Sequence, residues 1–328
     1  MLKSLRSVFF VGLIALVGCG KGTTVPAVTY VCPANRFTTV QFNTLISSTV
    51  TYTQAVDYTG KAVNLSVDIY QPSLDTLSRR PLIIYCHGGN FTSGSRTSAW
   101  PVKFCQQFAK MGYVTASIDY RLGIGANGDQ DVISAQIRAV QDAKAAIRYF
   151  KQTAVEQGNP YRIDTAQIYI AGEASGGVLA LQLGYLNSST EFSAVGSIDV
   201  LTNLNGIEGS TTLPYSSNIK GIISLSGAIL DLDWVNNPTM PLIMVHGSKD
   251  ASIPYKSGIV SPYTTTPLYG SFLIDSVATS RQLNVAFHTF AGVGATPYIS
   301  STTYADSTIN YVSKELFGLI DCQRLGTH

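Results

Sequence analysis

The sequence predicts an α/β fold, a mostly parallel central sheet with helices on both faces. Three observations carry this. Short apolar runs of strand length recur at 81–86, 112–118, 167–171, 221–225, 241–245 and 284–290. Helix-like segments alternate with them; in the clearest, Ile133, Ile137, Val140, Ala143, Ile147 and Phe150 recur at steps of three and four. The runs are apolar almost throughout rather than at every second residue, which suits strands covered on both faces, the condition of a parallel sheet.

The chain opens with Lys3 and Arg6, followed by an apolar run at 8–17 that is too short to cross a bilayer as a stable helix. The run ends in Leu16-Val17-Gly18-Cys19, which resembles the lipobox of bacterial lipoproteins. That resemblance implies a signal peptide over 1–18, a lipid on Cys19, and attachment to the cell envelope through the lipid alone. Residues 19–45 read as a tether, small, polar and proline-bearing at 20–27. The folded domain is assigned to 46–328.

Two alternating polar–apolar runs, 49–57 and 62–70, flank Tyr58-Thr59-Gly60-Lys61 and predict a hairpin. After the buried strand at 81–86 come a helix about 100–111, a strand at 112–118 and the long periodic helix through 133–150. The strand at 167–171 leads into a helix at 176–186, and the chain closes on a helix at 303–317. Residues 187–220 lack periodicity and are rich in Ser, Thr, Asn and Gly. Such a stretch either covers a pocket or is a solvated insertion.

With 328 residues, 45% hydrophobic and 13% charged, the chain is globular, one large domain or two small ones. A formal charge of +2 gives no electrostatic case for a nucleic-acid partner. Cys32 and Cys322 lie near the two ends of the mature chain, where a disulfide would pin the termini in an exported compartment. Cys86 and Cys105 fall on a predicted strand and helix and read equally well as small buried hydrophobes. No spacing resembles a zinc site, and no metal or cofactor is expected.

The chemistry-bearing segments sit at strand ends, where ligands of such sheets bind. Gly172-Glu173-Ala174-Ser175-Gly176-Gly177 follows the strand at 167–171 with the layout of a G-x-S-x-G nucleophile elbow, but the central residue is Ala174. His87-Gly88-Gly89-Asn90-Phe91 follows the strand ending at Cys86, and its glycines let backbone N–H groups approach a developing oxyanion. Asp119-Tyr120-Arg121-Leu122 ends the next strand. Asp250, in His246-Gly247-Ser248-Lys249-Asp250, follows the strand at 241–245 and precedes Ile253-Pro254; the lesser alternative is an Asp that caps a turn. After the last strand comes Gly292-Val293-Gly294-Ala295.

Together these segments resemble the carboxylesterases of the α/β-hydrolase fold, of the type that includes feruloyl and acetyl-xylan esterases and the hormone-sensitive-lipase group. The resemblance covers about 49–318. It implies an oxyanion hole at Gly88, Gly89, Asn90 and Ser175, an acid at Asp250, and structural bracing by Asp119 and Arg121. It also places the nucleophile at Ala174 and the base at Ala295, and a methyl group serves neither role. The remaining 4 histidines do not replace the base: His87 lies in the oxyanion loop, His246 opens the acid loop, His288 is on a strand and His328 ends the chain. Ser175 next to the elbow centre should begin the helix. Trp100 and Trp234 follow strand ends and are either pocket walls or ordinary core aromatics.

Three functional readings follow. The chain is an esterase scaffold with a small-molecule ester as its ligand, silenced by two alanines. Or it is a natural pseudoenzyme that binds an ester or a feruloylated or acetylated saccharide, as plant hormone receptors of this fold have lost triad residues. Or it is a purely structural surface protein, a reading that leaves the retained HGG and acid loops without a purpose.

Overall fold

A computed structural model describes residues 32–325 apart from 34, 187, 194–197, 210–212 and 261–264. Cys19, the signal segment and His328 lie outside the described residues. The alternating runs form the hairpin of β1 (Leu45–Val56) and β2 (Ala62–Pro72), paired antiparallel. Asp57 closes its turn by accepting hydrogen bonds from the Thr59 and Lys61 N–H groups.

The remaining strands are β3 (Arg80–Cys86), β4 (Val114–Ile118), β5 (Ile163–Glu173), β6 (Gly221–Leu225), β7 (Ala228–Ile229), β8 (Leu242–Gly247), β9 (Ser257–Gly258), β10 (Leu268–Gly270) and β11 (Val285–Phe290). Eight make the main sheet, in the order β1-β2-β4-β3-β5-β6-β8-β11, and the other three form a small sheet, β7-β10-β9. Only the β1–β2 and β2–β4 pairings of the main sheet are antiparallel; from β4 to β11 every pairing is parallel. This is the α/β-hydrolase arrangement.

The helices are α1 (Ala99–Met111), α2 (Asp129–Glu156), α3 (Ser175–Tyr185), α4 (Ser189–Phe192), α5 (Ile198–Asn203), α6 (Ser271–Ser280), α7 (Pro297–Ser300) and α8 (Thr302–Phe317). The period-2 pleat sends alternate strand residues into two cores. Ile84, Cys86 and Ile170 pack with α2 and α3, whereas Ile83, Tyr85, Tyr169 and Ala171 pack with α1 and α8. The strand expected at 112–118 starts at Val114, because Gly112, at φ 111°, ends α1 in a left-handed cap.

Two expectations change. The segment assigned to the tether packs on the domain in its described part: Phe37 is fully buried, its N–H donates to the Met111 carbonyl, and Arg36 pairs with Asp75 at 2.6 Å. The aromatic ring outweighs the polar composition of its neighbours. The aperiodic stretch lies against α2, where Gln141 donates to the Leu204 and Gly206 carbonyls and Lys144 and Arg148 pair with Glu208.

Cys32 and Cys322 form a disulfide across a sequence separation of 290. Cross-linking so long a loop removes much of the unfolded chain's entropy. Cys322→Ser is expected to lower unfolding free energy by about 2–5 kcal/mol, the usual span for a native disulfide. Denaturant titration of the variant, beside the parent with and without reductant, checks this.

Candidate active site

The elbow is built by close approach. β5 ends at Glu173 and α3 begins at Ser175, so the whole reversal falls on Ala174, at φ 49° and ψ −116°. That conformation is unfavourable for a residue with a Cβ and persists only where surrounding contacts impose it. Those contacts are visible. A Cβ on Gly172 would lie 2.3 Å from the Gly176 carbonyl oxygen, and one on Gly176 would lie 2.1 Å from the Cys86 carbonyl oxygen. The Ala174 N–H is held by the Leu225 carbonyl at 2.9 Å.

The oxyanion loop is strained in the same sense. Gly89, Asn90 and Phe91 all have positive φ, at 126°, 54° and 60°. A Cβ on Gly89 would sit 2.1 Å from the Ser93 carbonyl oxygen. Among the described residues, no acceptor engages the Gly89 or Asn90 N–H. Ser175 is the first residue of α3, so its N–H has no acceptor within the helix. These three donors border the elbow. Gly88 is different: its N–H already donates to Glu173 Oε1 at 2.8 Å, which removes it from the expected oxyanion set.

Bracing comes from the predicted motif with different partners. Asp119 receives the Arg96 backbone N–H at 2.9 Å and its Nη1 at 2.5 Å, tying down the loop after Gly94, and Arg96 Nε also reaches Asp68 at 3.0 Å. Arg121 binds Asp142 of α2 instead. His87 is buried, stacks on Tyr120 at 4.4 Å and donates from Nδ1 to the Gly88 carbonyl. Burial holds its imidazole below the usual range, which keeps it neutral and structural.

A cavity of about 390 Å³ opens between these parts. Ala174, Ala295, Asp250, Gly88, Gly89, Asn90 and Trp100 all line it. Asp250 Oδ1 accepts the Ser252 and Ile253 N–H groups at 2.8 and 2.9 Å, and Oδ2 lies 3.4 Å from His246 Nε2. The His246 ring is fully buried and also contacts Ser271 Oγ and the Ile253 carbonyl, so it is not presented to a ligand. Ser175 borders a second, smaller apolar chamber rather than this one, and no histidine is in hydrogen-bonding contact with its hydroxyl. Trp234 is corrected to a core aromatic: it is 1% exposed, donates to the Glu191 carbonyl and lies outside the cavity wall. No described residue of 187–220 lines the cavity either.

A BD-FAE family model matches residues 67–231, about half of the chain and the part that carries the oxyanion loop, the brace and the elbow. This chain belongs to the BD-FAE family. Its fold is shared with esterase 2 of Thermogutta terrifontis, at a TM-score of 0.60 and 21% identity over 83% of this chain and 94% of that one. Among curated proteins it is similar to the gibberellin receptor GID1B of Arabidopsis thaliana, 26% identical over 56% of this chain and 52% of the receptor. It is also similar to the human arylacetamide deacetylase-like 2, 32% identical over 36% of this chain and 27% of that protein. The chain thus spans about half or less of the length of these two relatives. The scaffold of this BD-FAE member is that of a carboxylesterase.

Sequence reasoning missed Glu173 as a functional group. It lines the cavity at 4% exposure, and its Oε2 has no hydrogen-bond partner among the described residues. An orphaned buried acceptor of this kind costs about 1–3 kcal/mol. Burial raises its carboxyl to about 7, with the nearby Tyr85 hydroxyl and the Gly88 N–H pulling the other way. The available signal was an acidic residue at the end of an otherwise apolar strand.

Two outcomes are expected. Gly176→Ala has no room in the backbone around it and should cost about 3 kcal/mol or more, the upper end of overpacking penalties, measured by denaturant unfolding. Glu173 keeps its proton in the folded chain up to about 7, whereas the unfolded chain releases it near the ordinary 4.5. Its contribution is therefore full below about 4.5 and lost above about 7, so stability should fall as pH rises across that window, by about 3 kcal/mol at most. Glu173→Gln should flatten that decline, read from unfolding curves at pH 5 to 8.

Proposed function

We propose that this chain is an esterase scaffold that holds a small ester-bearing ligand without forming an acyl-enzyme. The observation that carries this is the single cavity bordered by Ala174, Ala295 and Asp250. In the serine esterases that the motifs resemble, the first position attacks and the second takes the proton. Alanine offers neither a lone pair nor a titratable nitrogen, so covalent catalysis has no starting group. Asp250 alone has no imidazole to orient. What persists are the N–H donors of Gly89, Asn90 and Ser175 and the cavity itself, the elements that bind rather than react.

The ligand is an ester or a feruloylated or acetylated saccharide, and no cofactor or nucleic acid enters the reading. A relative named as a gibberellin receptor supports a binding use of such a scaffold. Esterase 2 of Thermogutta terrifontis, with propionate or butyrate bound, supports a short acyl group as one part of the ligand. We further propose export and anchoring by a lipid on Cys19. The Cys32–Cys322 disulfide supports an oxidising compartment, since cytosolic thiols are kept reduced.

Ala174→Ser together with Ala295→His is expected to raise hydrolysis of a short aryl ester by several orders of magnitude, since triad members act as a unit worth about a millionfold in the subtilisin case. Either change alone should stay near the parent rate. Equal rates for parent and double variant would overturn the assignment of both positions. Calorimetry with acetylated or feruloylated oligosaccharides tests the binding reading directly.

A further inference from the structure

The cavity lies beyond the carboxyl ends of β3, β5, β8 and β11, so the starts of these parallel strands form the opposite end of the domain. The described chain enters at that opposite end. Cys32 is bonded there to Cys322, just after α8, and the Phe37 and Gln41 N–H groups donate to the Met111 and Lys110 carbonyls where α1 closes. The loop from β2 to β3 lies at the same end, because β2 runs antiparallel to β4. Its tip is Leu74, 94% exposed and at φ 60°. A leucine seldom adopts left-handed backbone, and here its surroundings impose it. Asp75, the next residue, is buried; Arg36 and Arg80 pair with its carboxylate at 2.6 and 3.8 Å, and Arg162 donates to its carbonyl. The tip is thereby pinned with its side chain outward.

One exposed leucine is ordinary on a protein surface, but Leu74 has company. Val40 beside the Lys110 contact, Ile46 at the start of β1 and Val155 in the last turn of α2 are all exposed at this end. Cations surround them. Arg79 before β3, Arg162 before β5 and Lys220 before β6 are exposed, and Lys110 is half-exposed. The nearest acids do not cancel this charge: Asp75 and Asp164 are buried and paired, Asp164 with Arg324 at 2.8 Å. Lys314 and Glu315 offset each other at the end of α8, which leaves Glu156 and Asp321 as the exposed carboxylates. A recess of about 190 Å³ opens between Arg79, Val155 and Arg324, with Asp164 in its wall.

We propose that this end of the domain docks on a bilayer carrying anionic headgroups: Leu74 enters the interfacial layer, Arg79, Arg162 and Lys110 meet the phosphates, and the cavity opens away from the membrane. This rests on the reading that a lipid on Cys19 anchors the chain. Cys32 follows Cys19 by 13 residues. Fully drawn out, that connection reaches about 45 Å, comparable to the width of the domain itself. The end that holds Cys32 is therefore the end kept near the bilayer, and the same end carries the cations and the apolar tip. The two contributions differ in kind. Attraction between basic side chains and an anionic surface is screened by salt, whereas burial of an apolar side chain is not. A ligand then reaches the cavity from the aqueous side.

The test places an environment-sensitive fluorophore on Leu74→Cys in the full chain, with Cys19→Ser so that no lipid holds the protein. Cys86 and Cys105 are buried and Cys32 and Cys322 are bonded, so position 74 takes the label. Vesicles of phosphatidylglycerol and phosphatidylcholine should brighten and blue-shift the label, and phosphatidylcholine alone should do so far more weakly. A label on Ile299→Cys, exposed at the cavity rim, should stay unchanged. Arg79→Glu with Arg162→Glu should weaken the response to anionic vesicles by about tenfold or more. Arg79→Glu with Lys110→Glu should do the same without touching the contact to Asp75. A silent label at 74, an equal response at 299, or equal binding to neutral vesicles would each overturn the proposal. Mass spectrometry of the envelope fraction reads the lipid on Cys19 separately. A chain without that lipid whose label at 74 responds overturns the anchor and supports the surface, and a lipidated chain with a silent label does the reverse.

Discussion

Between the end of β3 and the start of α3 there is no room for one more carbon atom. Gly176 meets the Cys86 carbonyl there, and Gly172 meets the Gly176 carbonyl in turn. This contact forces the chain to reverse on a single residue and gives Ala174 its left-handed backbone. It also sets Glu173 against Gly88, so the two loops that frame the cavity are joined by one hydrogen bond from a buried carboxyl. Gly89 and Asn90 then line the cavity beside Ala174, while Ser175 opens α3 on the far side of the elbow centre.

Around this contact, the scaffold is braced by charge. Arg96 bridges Asp68 and Asp119, and Arg121 fastens the end of β4 to α2 through Asp142. These pairs are mostly shielded from solvent, where removing one partner leaves the other buried and uncompensated. The site is therefore stiff, with alanine at the elbow centre. On the proposed reading, such a frame keeps recognition without acyl-enzyme turnover, because binding groups and reacting groups sit on different residues.

Much of this was legible in the sequence. Period-2 and period-3.6 patterns located the hairpin, the parallel strands and the long helices, since those patterns follow from how each element exposes its faces. The elbow and the HGG loop were legible because glycine marks places where the backbone must pass too closely for a side chain. What escaped were pairings across loops. Nothing in the letters of Asp119-Tyr120-Arg121 says that the aspartate turns to Arg96 and the arginine to Asp142. Trp234 sits in a short 3-10 turn, where no periodicity fixes which way a side chain points. The Gly88 donor could not be known to be engaged until Glu173 was seen beside it. Phe37 was hidden in a polar stretch whose average composition says nothing about a single anchoring ring.

The bond between Cys32 and Cys322 turns most of the described chain into a closed ring. One cleavage of the backbone inside that ring, in an exposed turn such as the one at Gly60, releases no fragment; the two new ends stay on one molecule. Exposed loop tips are the preferred sites of proteolytic nicking. Here the first cut only linearises the domain, and a second is needed before any piece can diffuse away.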